Sequence, residues 1–281
     1  MRTEPRPVEH VVGTWSPSRH DMALRCPFAF AQRYVWGEKV QPTAAQAFGN
    51  AFDETTNRLA LDKRLSGENQ PEQKATDLFR TEWRIQSEKV EHWHPGEDVR
   101  EMTDQGAKLA SLWNGALLDH LQVHLVQPEI ALQCRGRDGD TFRVVGRLDL
   151  VGTLTDRGGN QADLVIDQKA AAKRWNTRKA IENSAAPIYV RAMRDQYPRV
   201  RSALFVIALR YAKPVLQAIE RPVDPSEPDH VLARFDSARH LVRAMYSADA
   251  FPPNRTNFLC SRRWCAWWQR CESTWGGRVP D

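Results

Sequence analysis

The sequence predicts a mixed α/β fold, a sheet core carrying an inserted helical region, and three observations lead there. From Ala44 to about Leu125, apolar residues recur at three- and four-residue spacing, the period of helix faces. From Glu129 the period falls to two, and the runs are separated by the turn signals RDGD and TDRGGN. A helical stretch over 177–196 then precedes two further strand-like runs, ALFVIAL (203–209) and VLQAIE (215–220).

The elements follow in order. The opening dozen residues, with Pro5 and Pro7, read as an extended arm. Ser16-Pro17 is an N-cap followed by proline at the first helical position, and this helix ends at Cys26-Pro27, because a residue before proline is pushed out of the α region. Pro27 starts a second short helix that closes at Gly37. Three or four helices fill 44–125, interrupted at SGENQP (66–71) and HPGED (94–98). EIALQC (129–134), TFRVVGRLDLVG (141–152) and ADLVIDQK (162–169) read as three meandering strands. A last helix covers 228–247 before Pro252-Pro253 break the chain. The expected organisation is one domain over 1–281. Within it, 44–125 is a mainly helical subdomain, and 255–281 is a cysteine-rich tail packing with 15–36.

With 41% hydrophobic and 27% charged residues, the 281-residue chain has the composition of a soluble globular protein. No window approaches the ~18 consecutive apolar residues of a membrane span. MRTEPRPVEHVVGTW lacks the apolar stretch of a signal peptide, so the expected location is cytoplasmic. In a reducing compartment, five cysteines point to metal ligation before disulfides. The net charge is only +5, yet Lys169 to Lys213 holds eleven Lys and Arg against Glu182 and Asp195, a local excess of +9. Such a block fits a phosphate backbone, and equally a solvated surface.

The chemistry centres on Asp149 in GRLDLVG and on Asp167 and Lys169 in LVIDQKA. Residues two apart on a strand share a face, so Asp167 and Lys169 project together and Gln168 turns away. The turn centres near Arg157 or Gly158, and reflecting Asp149 through it lands on Ile166 or Asp167. Two carboxylates that close repel unless a cation neutralises them, and oxygen ligands favour Mg²⁺ or Mn²⁺. Lys169 would orient or help deprotonate an attacking water and stabilise developing charge. Lys173, Arg174, Arg178 and Lys179 follow closely enough to grip DNA phosphates.

GRLDLVG and LVIDQKA resemble the second and third motifs of the PD-(D/E)XK nuclease superfamily in its RecB-like exonuclease branch. WSPSRHDMALRCPFAFAQRYV is similar to the opening of those exonucleases. The resemblance implies a restriction-endonuclease-like mixed-sheet core and a metal-dependent exonuclease, acting on single-stranded DNA in processing, repair or recombination. It implies a catalytic set of Asp149, Asp167 and Lys169, with Asp149 and Asp167 as metal ligands. In FGNAFDETT, Asp53 stands where the family's motif has a metal-binding histidine, and would be the third ligand. Tyr189 fits the family's helical tyrosine and would join the DNA-binding residues, but Ala185 replaces the glutamine four residues before it. Those two departures keep a second reading open, a nuclease fold retained as a DNA-binding or assembly subunit. No G-x-x-x-x-G-K-[ST] phosphate loop occurs, so ATP-driven unwinding would need a helicase or a recombination or adaptation partner.

Cys260, Cys265 and Cys271 are spaced C-x4-C-x5-C, and Cys26 lies far upstream. Four thiolates suit an iron–sulfur cluster or structural Zn²⁺. One early and three late cysteines resemble the CRISPR-associated RecB-like exonucleases and the AddB nuclease domain, which implies a four-iron-four-sulfur cluster. Cys134 reads as a core residue of its strand. The tryptophans near the late cysteines read as packing, with Arg262, Arg263 and Arg270 left as candidate phosphate contacts.

Overall fold

The computed structural model describes residues 4–257 and 259–280, so Phe258 and Asp281 of the expected tail lie outside the described residues. In chain order the helices and strands begin with α1 (Val8–Val12), β1 (Thr14–Trp15), α2 (Pro17–Arg25) and α3 (Pro27–Phe30). Next come α4 (Ala44–Ser66), α5 (Glu72–Ser87), α6 (Val99–Ala116), β2 (Leu121–Val126), β3 (Glu129–Arg135) and β4 (Thr141–Arg147). β5 (Leu150–Thr155), β6 (Gln161–Ala171), α7 (Thr177–Ile181), α8 (Ala185–Met193), β7 (Ser202–Leu209) and β8 (Val215–Pro222) follow. α9 (Glu227–Ser247) and α10 (Trp268–Trp275) complete the set. The chain forms two compact units, one of Met1–Val40, Ala131–Gly146 and Pro228–Asp281, the other of Gln41–Ile130 and Arg147–Glu227.

The first unit holds a three-stranded sheet in the order β1-β4-β3, with β1 parallel to β4. Its opening arm is not extended throughout, because Val11 and Val12 are buried by winding into α1 behind Pro7. α2 starts as expected, Ser16 Oγ accepting the Arg19 amide at 3.2 Å. The helix after Pro27 is regular only to Phe30. It then widens into a π-helical turn over Ala31–Val35, which keeps Ala31, Gln32 and Val35 buried before Gly37 reverses the chain at φ 69°. Arg239 of α9, 1% exposed, donates to Asp236 Oδ1 (2.8 Å), Asp140 Oδ2 (2.8 Å) and the Val12 carbonyl (2.7 Å). A buried guanidinium is tolerable only with such full pairing. α9 is not the last helix, since α10 follows in the tail, too short to leave a legible period.

The second unit carries a five-stranded sheet in the order β2-β5-β6-β7-β8. All neighbours are antiparallel except β6 and β7, which run parallel. α4, α5 and α6 pack Phe48, Phe52, Phe79, Trp83 and Trp113 against Leu164, Ile166, Leu204 and Val206 of the sheet. Every residue of β7 is buried, as expected of a central strand.

Three expectations are corrected here. The helical text does not run to 125, because LQVHLV (121–126) alternates in burial and pairs with β5 as β2. TFRVVGRLDLVG is two strands. Leu148 and Asp149 interrupt it, with the Leu148 amide donating to Pro128 (3.1 Å) and the Gln127 amide to Asp149 (2.8 Å), and β4 and β5 belong to different sheets. The helix over 177–196 is likewise two. Asn183 Oδ1 accepts the amides of Ala185 (2.9 Å) and Ala186 (3.2 Å), which ends α7 and restarts the chain as α8.

Candidate active site and cysteine cluster

The β5–β6 hairpin sets the register of the carboxylates. Thr155 pairs with Gln161 at the turn end, where Asp156 Oδ1 accepts the amides of Gly158 and Asn160, each at 2.8 Å. At the other end Leu150 pairs with Ile166, so one step further sets Asp149 beside Asp167. The Gln168 amide donates to Asp149 Oδ2 at 2.6 Å. Lys169 Nζ lies 2.7 Å from Asp167 Oδ2, 4.0 Å from Asp149 Oδ2 and 2.9 Å from the Gln168 carbonyl that accepts its proton. The alternation places Gln168 opposite, 4% exposed, where its Nε2 donates to Asn57 Oδ1 at 3.3 Å. Asn57 is on α4 one turn after Asp53, and Asp53 lies within electrostatic reach of both Lys169 and Asp149.

The charges are strongly perturbed. Burial pushes the Asp149 carboxyl up to about 7, against the pull of Lys169 and with help from Asp167 and Asp53. Burial also raises Asp53, opposed first by Lys169. For Lys169, burial works to lower the pKa, but Asp167 and Asp149 outweigh it and hold the ammonium above its ordinary value. Tyr189 on α8 is pushed up to about 12 by burial and then by Asp167, which places its phenol beside the same cluster.

Among the described residues, no three His, Cys, Asp or Glu side chains converge closely enough to hold an ion as they stand. The donor chemistry of Asp53, Asp149 and Asp167 nevertheless fits a hard divalent cation. All three offer oxygen, and burial shifts Asp149 toward its protonated form, a proton with which a cation would compete.

The basic block divides by role. Arg199 is tied to Asp163 (Nε–Oδ2, 2.9 Å), and Arg210 lies 5.0 Å over the Phe48 ring. Arg178 pairs with Glu182 (2.6 Å) and Lys179 sits 4.2 Å over the Trp175 ring. Lys173 and Arg174 are exposed, and neither is among the ion-paired or ring-stacked cations of the described residues. Sequence reasoning missed two supports. Asn57, four residues after Asp53 on one helix face, was open to periodicity. Gln217, whose side chain holds both the amide (2.9 Å) and the carbonyl (2.8 Å) of Trp175, had no local signal.

The cysteines lie in the first unit. Cys26 falls at the junction of α2 and α3, and Cys271 lies on α10. Cys26, Cys260 and Cys271 pack together with Phe28, Val279, Trp267 and Trp268. Cys265 is within electrostatic reach of the other three, its thiol pushed up to about 11, chiefly by burial. Burial also raises Cys260, with Cys26 and Cys271 adding to it. Thiolates are by chemistry ligands for a thiophilic centre, but no three of these four converge closely enough to hold an ion as they stand. Cys134 is apart, half-buried on β3 with Sγ 3.7 Å from the Leu132 carbonyl. Trp267 and Trp268 pack as expected, but Trp264 is 44% exposed beneath Arg263, so packing does not account for it. Arg270 is paired with Glu38 and Arg262 with Glu272.

The chain matches the sequence model of the PD-(D/E)XK nuclease superfamily over residues 14–272. Among solved structures it resembles a putative exonuclease from Eubacterium rectale at 10% identity, with a TM-score of 0.56 over 95% of this chain and 90% of that one. At that identity the likeness is one of fold. No curated protein matches the chain.

Proposed function

The chain belongs to the PD-(D/E)XK nuclease superfamily, and on that premise we propose that it is a metal-dependent deoxyribonuclease that trims single-stranded DNA from an end. The supporting observation is the contact of Lys169 Nζ with Asp167 at 2.7 Å beside Asp149 at 4.0 Å. The Eubacterium rectale protein of similar fold is itself described as a putative exonuclease.

Asp149, Asp167 and Asp53 would hold Mg²⁺ or Mn²⁺, which when bound polarises the scissile phosphate and lowers the pKa of water. Lys169, its pKa raised by two carboxylates, is an ammonium at neutral pH and acts as a donor. It orients the attacking water and stabilises charge developing on the phosphoryl oxygens. Tyr189 keeps its proton and offers a second donor at the cluster's edge. Lys173 and Arg174, exposed just beyond β6, hold backbone phosphates, and Arg178 and Lys179 further along would do so only by leaving Glu182 and the Trp175 ring. A helicase or a recombination or adaptation protein would supply the single strand in DNA repair or recombination.

Cys26, Cys260, Cys265 and Cys271 would hold a four-iron-four-sulfur cluster, and structural Zn²⁺ would suit the same thiols. Metal analysis and visible absorption of anaerobically purified protein separate the two, since only the cluster is coloured.

The functional test is cleavage of single-stranded DNA labelled separately at each end, with Mg²⁺ or Mn²⁺ and with EDTA. Cutting that EDTA stops and that Lys169→Ala lacks supports the enzyme and gives its polarity. Tight DNA binding without cutting would establish instead the non-catalytic DNA-binding subunit, the reading to which Ala185 in place of the family's glutamine points.

A further inference from the structure

The β7–β8 connection carries a basic and aromatic edge that the proposed chemistry does not use. β6 and β7 run parallel with Lys169 opposite Ile207 and Ala171 opposite Leu209, so both strands deliver their following loops to the same end of the sheet. That end, the carboxyl end of parallel strands, is where open α/β sheets bind ligands. The loop after β6 presents exposed Lys173 and Arg174, and the connection after β7 presents Tyr211, 37% exposed, with exposed Ala212 and Lys213. The two loops are joined. The Arg210 amide donates to the Ala171 carbonyl at 3.0 Å, and Gln217 of β8 holds both backbone groups of Trp175. β7 ends at Leu209, two residues of strand rise (roughly 7 Å) past the level of Lys169, and the chain then turns at Arg210, where the Tyr211 amide donates to the Leu209 carbonyl at 2.9 Å. No acidic residue lies in 171–176 or 210–214.

We propose that residues 210–214 form the second wall of the nucleic-acid track, with Tyr211 stacking on an unpaired base of single-stranded DNA and Lys213 contacting its backbone. This rests on the reading of the site as a DNA nuclease. An exposed tyrosine gains from a base face only where that face is unpaired, so the contact favours single strands over duplex. Lys213 supplies the sequence-independent phosphate attraction that complements Lys173 and Arg174 across the track. Gln217 is then a positioning residue, holding the two walls in register.

The test is fluorescence anisotropy of a labelled mixed-sequence oligonucleotide, single-stranded and as duplex, against the Lys169→Ala protein with Mg²⁺. Tyr211→Ala on that background is expected to weaken single-strand binding roughly 5- to 100-fold. Tyr211→Phe, which keeps the ring, retains the affinity, and duplex binding is unchanged in both. Lys213→Gln lowers the slope of log affinity against log salt by about 0.7. Unfolding curves confirm that each variant is folded. Undiminished single-strand affinity in Tyr211→Ala, equal losses on both substrates, or no single-strand binding by the parent would overturn the proposal. Cleavage is read separately. A wild type that cuts nothing but shows the Tyr211-dependent preference overturns the nuclease reading and leaves this contact standing.

Discussion

The backbone amide of Gln168 donates to Asp149 Oδ2 at 2.6 Å, so the peptide between Asp167 and Lys169 holds the carboxylate opposite them. The two motifs are thereby one rigid unit, and substitution at any of the three charged positions has a directional consequence.

Lys169→Ala should lower the cleavage rate about 100- to 1,000-fold, the usual cost of removing one oriented donor from a developing anion. Steady-state rates beside circular dichroism check this, and a native rate in the variant would remove Lys169 from the chemistry.

Asp149→Asn should make the metal-free protein more stable at pH 8 while abolishing cleavage. The Asp149 pKa is raised from 3.8 to about 7, so the folded state holds an extra proton between those values and loses stability as pH climbs through 7. The amide carries no such penalty and can still accept from Gln168. Urea midpoints should show a gain on the order of 1–3 kcal/mol at pH 8 that shrinks toward pH 5. A wild type equally stable at both values relative to the variant contradicts this placement of the charge.

Asn57→Ala removes the α4 partner of the buried Gln168 amide. The stranded polar group should cost about 1–3 kcal/mol of stability, and activity should fall further than stability explains, because Asp53 rides on the same helix face. Urea unfolding and kcat measured on the same preparation separate the two effects.

Gly106→Ala tests the helical subdomain. A Cβ at Gly106 on α6 would overlap the ring of Phe79 on α5, itself fully buried. Overpacking there should cost about 1–3 kcal/mol, read as a lower urea midpoint with Asp149, Asp167 and Lys169 untouched. A neutral outcome would mean that α5 and α6 sit further apart.

His20, 2% exposed against Phe235, has its pKa lowered from 6.5 to about 4 by burial and then by Arg234. The unfolded chain binds the proton first, so stability present above 6.5 is lost as pH falls toward 4, by up to about 3 kcal/mol. His20→Phe should flatten this part of the stability profile between pH 4 and 6.5. Parallel profiles for the two proteins would contradict a neutral buried imidazole.

Much of the site was legible because its determinants are local. The period-two alternation separates Gln168 from Asp167 and Lys169. Gly158 marks the turn centre that carries Asp149 to Asp167, and Ser16-Pro17 caps α2 through its own hydroxyl. Each depends on residues a few positions apart, or on reflection through one tight turn. The remainder depended on partners far along the chain. LQVHLV became a strand rather than the end of a helix because β5 offered it an edge. TFRVVGRLDLVG broke at Leu148 and Asp149 because its halves bond to different sheets. Asn57 meets Gln168 across 111 positions, and Gln217 meets Trp175 across 42. The basic block is a single run of charge in sequence, yet Asp163, Phe48 and Glu182 engage Arg199, Arg210 and Arg178 while Lys173, Arg174 and Lys213 stay exposed. Local propensity and turn chemistry therefore determined the hairpin and its charged residues. Only tertiary pairing, which sets burial and the choice of hydrogen-bond partner, decided which strands share a sheet, which helix backs the carboxylates and which cations stay exposed.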